Sequence, residues 1–130
     1  FVDDEPNILK ALKRLFVNEP YQKRFANSGH EAFEVMAIEA VHVLVTDMKM
    51  PEMDGHAVLK QAVKQYPDTV CLVLSGYSDS ETILHAINAG WVYRYILKPW
   101  DDAELKIAIR QAIELFDLQD EKIELLSANV

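Results

Sequence analysis

The chain has 130 residues, 50% of them hydrophobic, which is enough for one ordinary core and too few for two. Thirteen basic against twenty-one acidic side chains leave a net charge of -8, and that surplus excludes a phosphate-backbone ligand such as DNA for this segment. No apolar run approaches the ~20 residues needed to cross a bilayer and no signal peptide is visible, so a cytoplasmic domain without membrane contact is expected.

Phe1 and Val2 stand directly before Asp3 and Asp4. Two residues are short against the usual ~5 to 6 of a buried strand, so the first strand is expected to be truncated, with N-terminal residues missing. Pro6 fits the first turn of a helix predicted over 6–18, which places Ile8, Leu9, Leu12, Leu15 and Phe16 on one side. A short strand over 22–26 and a helix over 30–38 follow. The stretch VHVLVTDMKMPEMDG then runs apolar to Thr46 and ends on a single acid, Asp47, before the turn signals Pro51 and Asp54-Gly55. That places Asp47 at the carboxyl end of a buried strand, where open α/β sheets put their ligand sites.

A further helix covers 56–66, closed by Pro67, and VCLVLS over 70–75 is a continuous apolar strand. The lone Cys71 within it has no internal disulfide partner, suits a reducing interior and reads as a small buried hydrophobe. Residues 79–88 predict a helix with Asp79 near its cap and Gly90 beyond its end. The last strand covers 92–97, and the last helix starts at Asp101. Strand and helix alternate throughout, which predicts one parallel sheet with helices on both faces. The four glycines, at 29, 55, 76 and 90, give neither dinucleotide nor P-loop spacing. His30, His42, His56 and His85 are scattered without metal-ligand spacing, so zinc is not proposed.

The last helix outlives the body. Leu105, Ile109, Ala112, Phe116, Gln119, Ile123 and Leu126 follow a seven-residue repeat with one polar member. The expectation is a domain over 1–117 and a helical extension over 118–130, leading to an output domain absent from this chain or pairing with a second copy. The bland alternative packs the early apolar positions on the sheet and lets the later ones fray.

Polar groups close the apolar runs one after another: Asp3 and Asp4, then Asp47, Ser75 and Lys98. In a parallel sheet all of these gather on one edge. The order DD, TDMKMPEMDG, LSGY, YILKPW resembles the receiver domain of two-component response regulators, and the resemblance spans the chain to about residue 117. It implies a flavodoxin-like, doubly wound, five-stranded parallel sheet with helices on both faces and the last helix extended. Three ionised carboxylates ~5 Å apart repel by roughly 3 kcal/mol per pair at an effective dielectric of 20, so the cluster must hold a proton or bind a cation. Mg²⁺ is the natural hard ion.

Carried over residue by residue, the resemblance implies that Asp4, Asp47 and the backbone carbonyl of Lys49 ligate Mg²⁺, with Asp3 acting through water. Asp47 is then the phosphoacceptor for a sensor histidine kinase or phosphotransfer protein, assisted by Lys98 and the Ser75 hydroxyl. A cis peptide bond is expected before Pro99. Ser75 and Tyr95 form the implied switch, which alters the face of the fourth helix, fifth strand and fifth helix to control an output domain or a homodimer. Met48, Lys49 and Tyr77 line the phosphoryl site, where receivers vary. YRYILKPWDDAEL resembles receivers that precede multi-domain outputs, including HD-type cyclic-di-GMP phosphodiesterases.

Local alternatives stand beside these roles. Asp3 and Asp4 also suit the N-terminal dipole of a helix, Ser75 a strand end, and Tyr95 amphipathic packing. Trp91 and Trp100 flank the last strand, as a partner surface or as packing. Glu5 and Asp54 read as surface or turn acids. An Mg²⁺-dependent aspartyl-phosphate phosphatase of the haloacid dehalogenase type needs a second aspartate two positions after the nucleophile, where this chain has Lys49. A receiver-like module that is never phosphorylated normally shows a broken acidic set, which this one is not. The expected role is a signalling phosphoacceptor whose only catalysis is its own phosphotransfer and autodephosphorylation.

Overall fold

The computed structural model describes residues 1–76 and 80–128, with the side chains of the last helix described as far as Glu121. Asp79 and Tyr77 lie outside the described residues, as do the side chains of Ile123 and Leu126. The elements in chain order are α1 (Pro6–Leu15), α2 (Gly29–Ile38), β1 (Val43–Thr46), α3 (Gly55–Gln65), β2 (Val70–Ser75), α4 (Ser80–Asn88), β3 (Arg94–Leu97) and α5 (Asp102–Ala128).

β1, β2 and β3 form a parallel ladder in that order, with Val43 opposite Val70 and Ser75 opposite Leu97. Val2 adds parallel bridges to Thr46 on one side and to Ala26 on the other, so five chain segments lie side by side. The first two of the expected strands in chain order are therefore single-residue bridges. Only Phe1 and Val2 stand before Asp3, and the 22–26 segment forms its one β-bridge among the described residues at Ala26, beside a hydrogen bond from Phe1 N to Arg24 O at 2.9 Å.

The strands alternate between two cores, as a pleat of period two requires. Leu44, Cys71 and Val73 pack with α2, α3 and α4 on one face. Val45, Val70, Leu72, Leu74 and Ile96 pack with α1 and α5 on the other. Burial pushes the Cys71 thiol up to about 12, as expected of a thiol serving as a core hydrophobe. The helices start where local chemistry satisfies their first amides. Pro6 occupies the first turn of α1, Ser28 Oγ accepts from Glu31 N at 3.1 Å, Asp54 Oδ1 accepts from Ala57 N at 2.8 Å, and Asp101 Oδ1 accepts from Glu104 N at 2.9 Å.

α5 has 27 residues and an expected length of ~40 Å. Leu105, Ala108, Ile109 and Ala112 are buried against the sheet, and the Phe116 ring lies 4.2 Å from that of His42. The first half of the seven-residue repeat is thus consumed by the domain's own core, while Leu118 is 62% exposed. No helix among the described residues is long and apolar enough to cross a membrane.

Candidate functional site

The parallel ladder gathers the carboxyl ends of its strands. Val2 donates to Val45 O at 2.8 Å and accepts from Asp47 N at 2.9 Å, which sets Asp3 beside Asp47. Lys98 N donates to Ser75 O at 2.8 Å and ties the ends of β2 and β3 together. Asp3, Asp47 and Ser75 are 2%, 6% and 1% exposed, whereas Asp4 and Lys98 are half-buried at the rim.

One oxygen from each of Asp3, Asp4 and Asp47 lies within 4.8 Å of the others. Lys98 Nζ donates to Asp3 Oδ2 at 2.7 Å and stands 3.4 Å from Asp47 Oδ2. The remaining oxygens of the buried pair are held by backbone: Asp3 Oδ1 accepts from Glu5 N at 2.9 Å, and Asp47 Oδ1 from Met48 N at 2.7 Å. Burial raises the Asp47 carboxyl above the ordinary carboxylate range, and the Asp3 charge raises it further. Lys98 and the Met48 amide oppose that rise without cancelling it. Burial works to lower Lys98, but its hydrogen bond to Asp3 and the charges of Asp47 and Asp3 outweigh it, so the ammonium is held above its usual value.

The donor set fits a hard divalent cation. It is built of carboxylate oxygens, and three ionised carboxylates against one ammonium leave a surplus of two negative charges. Asp4 has no hydrogen-bond or ion-pair partner among the described residues, which leaves its oxygens available.

The loop after β1 carries a residue that sequence reading took only for a turn. A Cβ on Gly55 would sit 2.2 Å from Asp47 O and 2.6 Å from Met48 Cα, and Gly55 N donates to Met48 O at 2.9 Å. The start of α3 thus presses on the backbone of Asp47, and only glycine permits that approach. Met48, expected beside the phosphoryl site, has its side chain in the core, while Lys49 two positions after Asp47 is exposed. The Lys98 to Pro99 peptide bond is cis, as expected. Asp54 serves as the cap of α3, and Glu5 is the exposed cap position of α1 whose amide holds Asp3. Tyr95, opposite Val73 in the ladder, is half-buried, and its hydroxyl donates to Gly76 O at a long 3.4 Å.

The family profile described as the response regulator receiver domain matches residues 1–110. The chain is 37% identical over 118 residues to the hydrogenase transcriptional regulatory protein HoxA of Cupriavidus necator, covering 91% of this chain and 24% of that protein. It is 31% identical over 120 residues to the regulatory protein AtoC of Escherichia coli, covering 92% and 26%. The chain spans about a quarter of the length of the curated relatives it matches. Among solved structures, the signal receiver domain of an HD domain-containing protein from Pseudomonas fluorescens is 39% identical. Its TM-score is 0.85, over 89% of this chain and 93% of that one. A CheY-like receiver domain protein from Methanospirillum hungatei is 27% identical with a TM-score of 0.83, over 91% and 94%.

Proposed function

The chain belongs to the response regulator receiver domain family, and from that premise we propose that Asp47 accepts a phosphoryl group from the phosphohistidine of a sensor histidine kinase or phosphotransfer protein. The observation that carries this reading is the convergence of Asp3, Asp4 and Asp47 within 4.8 Å under the ammonium of Lys98. An oxygen of Asp47 attacks phosphorus in line. The new O–P bond forms as the P–N bond to the donor breaks, and the departing imidazole takes up a proton. An ionised carboxylate needs no separate base.

Asp4, Asp47 and the Lys49 carbonyl, with Asp3 acting through water, would hold Mg²⁺, which when bound would supply positive charge against the phosphoryl oxygens. Lys98 exchanges part of its hold on Asp47 for the incoming group, and the Ser75 hydroxyl donates to it. The new dianionic group biases a two-state equilibrium, with Ser75 moving toward it and Tyr95 turning inward. The face of α4, β3 and α5 changes in consequence, and so does either an output domain following α5 or a homodimer formed through that face or through α5 itself. As a receiver, the domain signals in the cytoplasm and has no turnover beyond its own phosphotransfer and autodephosphorylation.

Incubation with Mg²⁺ and acetyl phosphate or beryllofluoride tests this. One adduct per chain by intact-mass or fluorine measurement is expected, absent in Asp47→Ala. An adduct that persists in Asp47→Ala, or sustained release of inorganic phosphate at enzyme-like rates, would overturn the assignment.

A further inference from the structure

Two of the four histidines come together in space although nothing in their spacing announces it. His56 stands in the first turn of α3 and His85 in the last turn of α4, with ring centroids 5.5 Å apart and planes at 44°. Trp91 walls the pair at 5.2 Å from His56 and 5.8 Å from His85. Its position is set by the helix end: Gly90 takes φ +80, and Trp91 N donates to Ala86 O at 3.0 Å. Neither imidazole has a hydrogen bond or ion pair among the described residues, whereas His30 faces Glu52 at 3.9 Å and His42 lies on Phe116.

We propose that His56 and His85 form a two-imidazole site for a borderline divalent metal such as Zn²⁺, Ni²⁺ or Cu²⁺, bridging α3 and α4. Imidazole nitrogen binds such ions at ~2.0 to 2.1 Å, which puts two ring centroids about 5 Å apart around a tetrahedral ion. The observed separation of 5.5 Å lies close to that value, and no polar contact among the described residues has to break. The site is chemically distinct from the carboxylate cluster. Imidazole selects the borderline transition metals, and an all-oxygen set selects Mg²⁺. With only two protein ligands, water fills the remaining positions and binding is reversible. The order of affinity is Cu²⁺ above Ni²⁺ and Zn²⁺.

Trp91 and Trp100 are the only tryptophans, so Trp100→Phe leaves Trp91 as the reporter beside the pair. In millimolar Mg²⁺, added to compete for the carboxylates, Ni²⁺ titration should quench Trp91 in one saturable step that depends on both histidines. His56→Gln and His85→Gln should each weaken that binding at least about tenfold, since even outer-shell losses cost 10 to 100-fold at metal sites. Urea midpoints measured in chelator check that both variants remain folded. Ni²⁺ affinity unchanged in both variants, or more than one equivalent bound with no dependence on either histidine, overturns the site.

Discussion

Lys98 reaches across 95 positions of sequence to donate its ammonium to Asp3 at 2.7 Å. The contact offsets charge in a cluster where each carboxylate pair repels by roughly 3 kcal/mol at an effective dielectric of ~20. It also makes the lysine a partner of buried carboxylates before any phosphoryl group arrives.

Lys98→Met keeps the length of the stem and removes the charge. Without divalent ions, urea unfolding should show a loss on the order of 2 to 3 kcal/mol, at or just under the ~3 to 5 of breaking a fully buried pair, because Lys98 is partly exposed. Millimolar Mg²⁺ should recover part of that loss by binding the folded state alone. A variant as stable as the parent in chelator would mean that the ammonium does not offset the cluster.

Asp47 gives a pH dependence of definite sign. Its folded-state carboxyl lies above the unfolded value of about 3.8, first because it is buried and then because Asp3 is near. Between that value and the raised one the folded state binds more protons than the unfolded state, so stability falls as pH rises through this window. In chelator at neutral pH, Asp47→Asn should be more stable than the parent, with the gap closing as pH falls toward 4. Urea midpoints of the two proteins across that range decide it. A gap that widens on acidification contradicts the sign.

Gly55→Ala should damage the site through the backbone. The added methyl would meet Asp47 O and Met48 Cα, neither of which is the end of a flexible side chain. A cost of about 1 to 3 kcal/mol is expected, as for other overpacked positions. Phosphorylation by acetyl phosphate should slow more than the fraction folded explains, because Asp47 is displaced. Equal rates per folded molecule would show that the glycine serves packing alone.

The site was legible in the sequence because each of its residues closes an apolar run, and a parallel sheet turns that into one spatial edge. The juxtaposition of Asp3, Asp4, Asp47 and Lys98 needed no more than this, whereas the roles given to them and to Ser75 came from the family resemblance. Gly55 was only half legible: Asp-Gly signals a turn, but the close approach of α3 to Asp47 depends on how the helix docks. The pairing of His56 with His85 left no trace, since it arises from two helices meeting side by side rather than from any local period. The repeat in α5 was ambiguous for a physical reason. Spacing of three and four describes a stripe packed on a sheet as well as a coiled-coil seam, and Leu105, Ile109 and Ala112 went to the sheet.

The continuation of α5 past the core defines the last prediction, through an exposed leucine that lies outside the repeat. Beyond Phe116, which rests on His42, the helix continues to Ala128 and presents Leu118 to solvent. A helix of this kind gains most of its stability from packing, and a second copy supplies a parallel apolar surface without a new fold. If phosphorylation shifts the α4, β3 and α5 face toward association, light scattering should show monomer in chelator and dimer with Mg²⁺ and beryllofluoride. Leu118→Glu places a like charge in both partners of such a pair, so it should stay monomeric while still taking up one beryllofluoride. The adduct count separates the two ideas. A variant that binds beryllofluoride and still dimerises moves the interface off the extension and onto the domain face, and a parent that stays monomeric at high concentration removes coupled dimerisation altogether.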